Sequence, residues 1–175
     1  MSKLTIVEVN ALSPEAFATR FGFLFEHSAW VAEGAAEHRP FETLGAMQAA
    51  LARALFFATD AQKLAVFRAH PKLADKAAIQ EGLTRESASE QASAGLDALT
   101  PEEFARFGDL NAAYEARFGF PFIIAVRAAG GKAGVLKAMT ARLYNTEVQE
   151  RRNALDEVVK IVGLRLQDVV EGELV

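Results

Sequence analysis

The chain has 175 residues, a length that suits one domain burying roughly 70% of the surface its unfolded form exposes. It is 51% hydrophobic and 24% charged with a formal charge of −4, a globular composition that offers no basic field for a phosphate backbone, so no nucleic-acid partner is expected. There is no cysteine, which excludes disulfides, thiolate nucleophiles and cysteine-ligated metals and fits a reducing compartment.

The opening MSKLTIVEVN has no apolar signal-peptide core, and no apolar run is long enough to span a membrane. The ending EGELV is not a peroxisomal address. A soluble, cytoplasmic protein without a membrane partner is the expectation. Along the chain, helix signals dominate. Ser13-Pro14 pairs an N-cap hydroxyl with proline at the first helical position. Thr43 is expected to cap TLGAMQAALARALFFA, and Asp60 to cap DAQKLAVFRA. That second helix must stop at His70-Pro71, because proline lacks an N–H and pushes the residue before it toward extended geometry. His70 is therefore presented at a helix end, a suitable place for a working imidazole.

Thr84 is expected to cap RESASEQASAGL, and Thr100-Pro101 with Glu103 forms a capping box for a helix that Gly119 stops. FPFIIAV, from Phe120 to Val126, has strand-like composition but no partner strand, so it reads as buried extended chain or an irregular helix start. GGKAG, Gly130 to Gly134, lacks the full phosphate-loop pattern and reads as a flexible connection before VLKAMTARL. From Thr146 onward, Leu155, Val158, Val159, Val162, Leu166 and Val169 form an apolar stripe at helical spacing. These elements predict an all-α fold: one compact domain over residues 1–175, with roughly seven to eight helices.

Three histidines, His27, His38 and His70, have no ligand spacing such as HExxH, so no metal is expected. SASEQ has no GxSxG context and supports no serine nucleophile. Ser87, Glu90 and Gln91 stand at i, i+3 and i+4 and share one helical face, for which a solvated polar surface is the plain reading. Arg165 falls at the edge of the last helix's apolar stripe. It must snorkel out, pair with an acid or hold an anionic ligand.

Read in order, Arg39-Pro40-Phe41, His70-Pro71-Lys72-Leu73-Ala74, LTRESASEQASAGL, LNAAYEARFGFPFIIAV, RLYN and GLRLQDVV resemble the 2-oxo-4-hydroxy-4-carboxy-5-ureidoimidazoline (OHCU) decarboxylase family across nearly the whole chain. The resemblance implies an all-α fold, a homodimer, no cofactor, and the loss of CO2 from OHCU to give (S)-allantoin in urate degradation. It makes His70 the catalytic acid/base, with Pro71 beside it. It assigns substrate contacts to Ser87, Ala88, Ser89, Glu90 and Gln91, and to Phe122, Ile123, Ile124, Ala125 and Val126, the latter through backbone groups. Glu90 and Arg165 join His70 as catalytic residues. Lys72 stands where an acidic residue is associated with many members.

The chemistry suits these implied roles. An imine carbon–nitrogen bond beside the departing carboxylate gives the substrate its own electron sink, so no borrowed cofactor is needed. Histidine, with an unperturbed pKa of about 6.5, suits the proton work. Glu90 either orients the imidazole or binds a ureido N–H. Arg165 offers a planar fork; clamping the carboxylate would stabilise the ground state, which favours Arg165 orienting the ring system, although Arg142 is a second candidate for contact. His70, Ser87, Glu90, Gln91 and Arg165 are expected to line one pocket with the Phe122–Val126 backbone. Two other readings remain open: a paralogous lyase for a related ureido acid, and a helical partner-binding module.

Overall fold

Hydroxyl side chains open most of the helices. The computed structural model describes residues 2–75 and 83–174. Helix α1 (Ile6–Ala11) begins at a capping box between Thr5 and Glu8, and α2 (Pro14–Phe21) begins where the Ser13 hydroxyl accepts from Ala16 N–H. After a 3-10 turn at Gly22–Leu24 come α3 (Trp30–Ala36) and α4 (Leu44–Phe56), the latter capped by Thr43. Helix α5 (Asp60–Ala69) differs from expectation at its start: Thr59, not Asp60, is the cap. The Thr59 hydroxyl accepts from Gln62 N–H at 3.2 Å while the Gln62 amide oxygen accepts from Thr59 N–H at 3.0 Å, so both orphan donors are satisfied.

Thr84 caps α6 (Arg85–Ser93), and the Thr100–Glu103 box opens α7 (Pro101–Phe118), which Gly119 ends in the left-handed region at φ 76°. A second 3-10 turn, Val126–Ala128, precedes α8 (Gly131–Arg142). This helix takes in most of GGKAG, which is therefore not a flexible connection. Gly134 is held there by close approach: a Cβ would lie 1.7 Å from the Ala129 carbonyl oxygen. Helix α9 (Glu147–Val169) completes the set. The described residues thus hold nine α-helices and no strand, against seven to eight helices expected. The short α1 and α3 carry too few apolar repeats to be read from periodicity.

Backbone contacts divide the chain into two compact units, one of Met1–Ala69 with Val158–Val175 and the other of His70–Glu157. In the first, α3 packs against α2 and α4 over a core that includes Phe17, Phe21, Val31, Met47 and Leu51. Each such side chain contributes about 1.5–3 kcal/mol by leaving water. In the second unit α7 packs against α8, and Tyr114, Phe118, Phe120 and Phe122 form an aromatic cluster with edge-on contacts. The buried face of α9 is turned from the expected stripe: Ala154, Val158, Ile161, Val162 and Leu166 are buried, but Leu155, Val159 and Val169 only half-buried. Glu150 and Arg165 share the buried face, each with a charged partner that makes burial tolerable.

Candidate active site

Helix α5 stops at Ala69, and His70 follows with 9% of its surface exposed. Lys72 to Ala74 lie outside any helix and take hydrogen bonds from side chains. Gln91 uses both ends of its amide: its oxygen accepts from Ala74 N–H at 3.0 Å and its nitrogen donates to the Lys72 carbonyl at 3.4 Å. Asn111, on α7, donates to the Leu73 carbonyl at 2.8 Å. Ala74 sits at φ 54°, a left-handed conformation costing a non-glycine roughly 1–3 kcal/mol that persists where the surroundings over-determine it. Three consecutive residues after the His-Pro pair are thus fixed by two buried amides.

Gln91 lies on α6, so this clamp ties the histidine loop to the helix that carries the other candidate residues. Ser87 and Gln91 are buried, Glu90 is half-buried, and Ala88 and Ser89 face outward. The same helix packs against the 3-10 turn at Val126–Ala128, which ends the FPFIIAV segment. His70, Pro71, the Ser87–Gln91 stretch and Phe122–Val126 therefore all belong to one unit, with Gln91 joining loop to helix.

Pro121 to Ala125 run without helix, turn or bend. With no neighbouring strand among the described residues, the backbone groups here find side chains. Arg142 Nη1 donates to the Ile123 carbonyl at 2.8 Å, and Ala125 N–H donates to Glu157 Oε2 at 2.8 Å. The guanidinium also lies over the Phe122 ring, 4.5 Å from its centroid. Its Nε donates to Glu150 Oε1 at 2.7 Å, and Nη2 approaches the same oxygen at 2.5 Å, off the hydrogen-bond axis. Glu150, fully buried, also accepts from the Tyr114 hydroxyl at 2.5 Å, Asn145 Nδ2 at 2.7 Å and Asn153 Nδ2 at 3.2 Å. Burial works against the Glu150 charge, yet the bonds from Arg142, Tyr114 and Asn145 prevail and hold its pKa below the usual carboxylate range. Burial and the adjoining carboxylate push the Tyr114 hydroxyl well above its ordinary value, so it stays a donor.

Arg165 belongs to the other unit. It is 3% exposed, so it lies within the buried face of α9 and not at its edge. Its Nη2 pairs with Glu26 Oε1 at 2.9 Å, and Nη1 donates to the carbonyls of Phe23 and Leu24 at 3.3 Å each. Of the three fates open to this arginine from sequence, pairing with an acid is the one observed. Glu26 was missed by sequence reasoning; its one signal is an acid inside the apolar run FGFLFEH. Among the described residues, no three His, Asp or Glu side chains are grouped as metal ligands would be.

The described residues define an all-α protein in which a buried histidine at a helix end is tied, through Gln91, to a helix with a polar face. More narrowly, the chain belongs to the OHCU decarboxylase family, whose sequence profile it matches over residues 10–167. It is 40% identical to the 2-oxo-4-hydroxy-4-carboxy-5-ureidoimidazoline decarboxylase of Haloferax volcanii, over 99% of this chain and 100% of the relative. Its identity to the enzyme of that name from Amia calva is 38%, over 94% of this chain and 93% of that one. Among solved structures it resembles an (S)-allantoin synthase with a TM-score of 0.76 and 32% identity, over 95% of this chain and 54% of that one. An OHCU decarboxylase crystallised in the presence of (S)-allantoin shares the fold, with a TM-score of 0.68 at 23% identity over 85% of this chain and 95% of that one.

Proposed function

We propose that this protein decarboxylates OHCU to (S)-allantoin in urate degradation, without a cofactor, as a cytoplasmic homodimer. The carrying observation is the Gln91 clamp, which joins the His70-Pro71 loop to the helix bearing Ser87 and Glu90. Those are the two motifs to which the resemblance assigns catalysis and substrate binding. The dimer rests on the resemblance, and cytoplasmic placement on a composition without cysteine, which suits a reducing compartment. No described helix is long and apolar enough to cross a membrane.

The reaction can be written with its electrons in place. The bond from the hydroxyl-bearing ring carbon to the carboxylate breaks, and its pair forms a double bond to the ureido-bearing carbon. The former imine pair moves to the ring nitrogen, which takes a proton. The resulting enol loses its hydroxyl proton as the ureido-bearing carbon gains one, so the net reaction releases CO2 and takes up one proton. His70 delivers the proton to that carbon from one face, which sets the S configuration; a group so placed contributes about 10²–10⁴ in rate. Glu90, one turn along from Ser87, orients the imidazole or holds a ureido N–H. The Phe122–Val126 backbone meets the planar heterocycle. The ring-orienting role of Arg165 rests on the resemblance.

Freshly generated OHCU added to the protein, with allantoin followed by circular dichroism, tests the reading. Rapid formation of the S enantiomer carrying one deuterium from D2O at the ureido-bearing carbon is expected. Formation at the uncatalysed rate, or of racemic product, would refute it. Light scattering on the eluting peak should give the mass of two chains.

A further inference from the structure

Irregular buried chain is costly unless each backbone N–H and C=O finds a partner. Pro121 to Ala125 run without helix, turn or bend and with no strand beside them among the described residues, so helices supply those partners. They do so at alternate residues: Arg142 at the Ile123 carbonyl, Glu157 at the Ala125 N–H. Ile123 and Ala125 are therefore held by protein on either side of Ile124, which is the one residue of Phe122–Val126 that is not buried.

We propose that Arg142 and Glu157 are positioning residues for the decarboxylation. They hold the strip by Ile123 and Ala125 so that the Ile124 amide and carbonyl are presented to the amide-like edge of the substrate ring. The inference rests on the proposed function and assigns Arg142, left open from sequence as a possible substrate contact, to the backbone instead. Arg142 is itself fixed on three sides, by Glu150, by the Ile123 carbonyl and by the face of Phe122. Glu150 is in turn fixed by Tyr114, Asn145 and Asn153. The arrangement does for a strip of backbone what a second layer of hydrogen bonds does around a reactive group: it sets geometry without touching substrate.

Glu157 is the sharper test, because its bond to Ala125 N–H can be altered while the Glu150 network stays whole. Glu157→Ala should raise both KM for OHCU and the Kd for (S)-allantoin about tenfold, the effect of losing one hydrogen bond to a charged group. Glu157→Gln keeps an acceptor and should recover most of that loss. Because His70 is untouched, the pH profile of kcat should match the parent's in both variants. Far-ultraviolet circular dichroism and a cooperative thermal transition verify folding. An Arg142→Lys variant, which keeps charge but loses the fork, should shift Kd in the same direction and supplies the comparison should Glu157→Ala unfold. Folded Glu157→Ala or Arg142→Lys protein with KM and Kd within about twofold of the parent would overturn the positioning role. A parent that neither binds (S)-allantoin nor accelerates OHCU breakdown would instead refute the proposed function.

Discussion

Glu26→Ala isolates what the Arg165 pair does. Both residues are 3% exposed, so removing the carboxylate takes its counter-charge from a guanidinium in the interior. The bonds to the Phe23 and Leu24 carbonyls are 3.3 Å long and beyond the usual range for N–H···O, so they offset little of that loss. Breaking one side of a buried pair typically costs about 3–5 kcal/mol. For a chain of this size that is a fall in Tm of roughly 6–20 °C, at about 2–4 °C per kcal/mol. Urea titration followed by circular dichroism gives the free energy, and a thermal scan gives Tm. The double variant Glu26→Leu with Arg165→Met removes both charges and fills similar volume, so it should recover most of the lost stability. Activity then separates the roles: a folded, stable double variant should have lost most of its OHCU turnover if Arg165 orients the ring. A loss below about 1 kcal/mol for Glu26→Ala would show that the pair does not hold the guanidinium.

His70→Asn should fold, bind (S)-allantoin and lose most of the acceleration, about 10²–10⁴, with the product drifting toward racemic; S product at nearly the parent rate would assign the proton to another residue. The Glu150 carboxyl is held below its unfolded value of about 4.3, so it adds stability above that pH, which is lost as pH falls through the lower folded value. Glu150→Gln should flatten this acid limb in urea titrations across pH, and an unchanged limb would show that other carboxylates set it. Gly134→Ala forces a Cβ against the Ala129 carbonyl and should destabilise by about 1–3 kcal/mol; an unaltered Tm would mean the turn yields freely.

Local chemistry was the legible part. A hydroxyl that accepts from the amide three residues on needs nothing outside its own turn, so the starts of α2, α4, α6 and α7 follow from sequence. The miss at α5 was also local: Thr59 and Asp60 are adjacent cap formers, and the reciprocal Thr59–Gln62 pair decides between them. At GGKAG a residue type argued for a loop, but Gly134 is required by a close backbone approach inside a helix. The pairing of Arg165 with Glu26 spans 139 positions and depends on tertiary packing, which periodicity does not carry. The site divides in the same way. Its motifs were readable in order, while what holds them was not: Asn111, Arg142 and Glu157 bond backbone groups, and Glu150 fixes Arg142.

Lys72 shows why a departure within the most characteristic motif leaves the loop intact. What the fold recognises at this position is the main chain: the Lys72 carbonyl accepts from Gln91, an interaction any residue supplies. The side chain leads away to Glu115, with Nζ 2.7 Å from Oε2, in a pair whose side chains are 38% and 44% exposed. The hydrogen bond that the ammonium donates to Glu115 outweighs burial and holds its pKa above the ordinary value, so the lysine stays charged. A surface pair of this kind contributes about 0–1 kcal/mol, too little to set the loop's conformation. Its electrostatic effect is also contained. An unpaired lysine two residues from His70 would oppose the imidazolium, but a paired one presents a short dipole whose field falls off faster than that of a single charge. Because Glu115 is there to meet Lys72, the pair carries a net charge near zero beside the His70 loop, where an acid at position 72 would leave two like charges. The Gln91 and Asn111 amides, which bind backbone alone, continue to set where His70 stands.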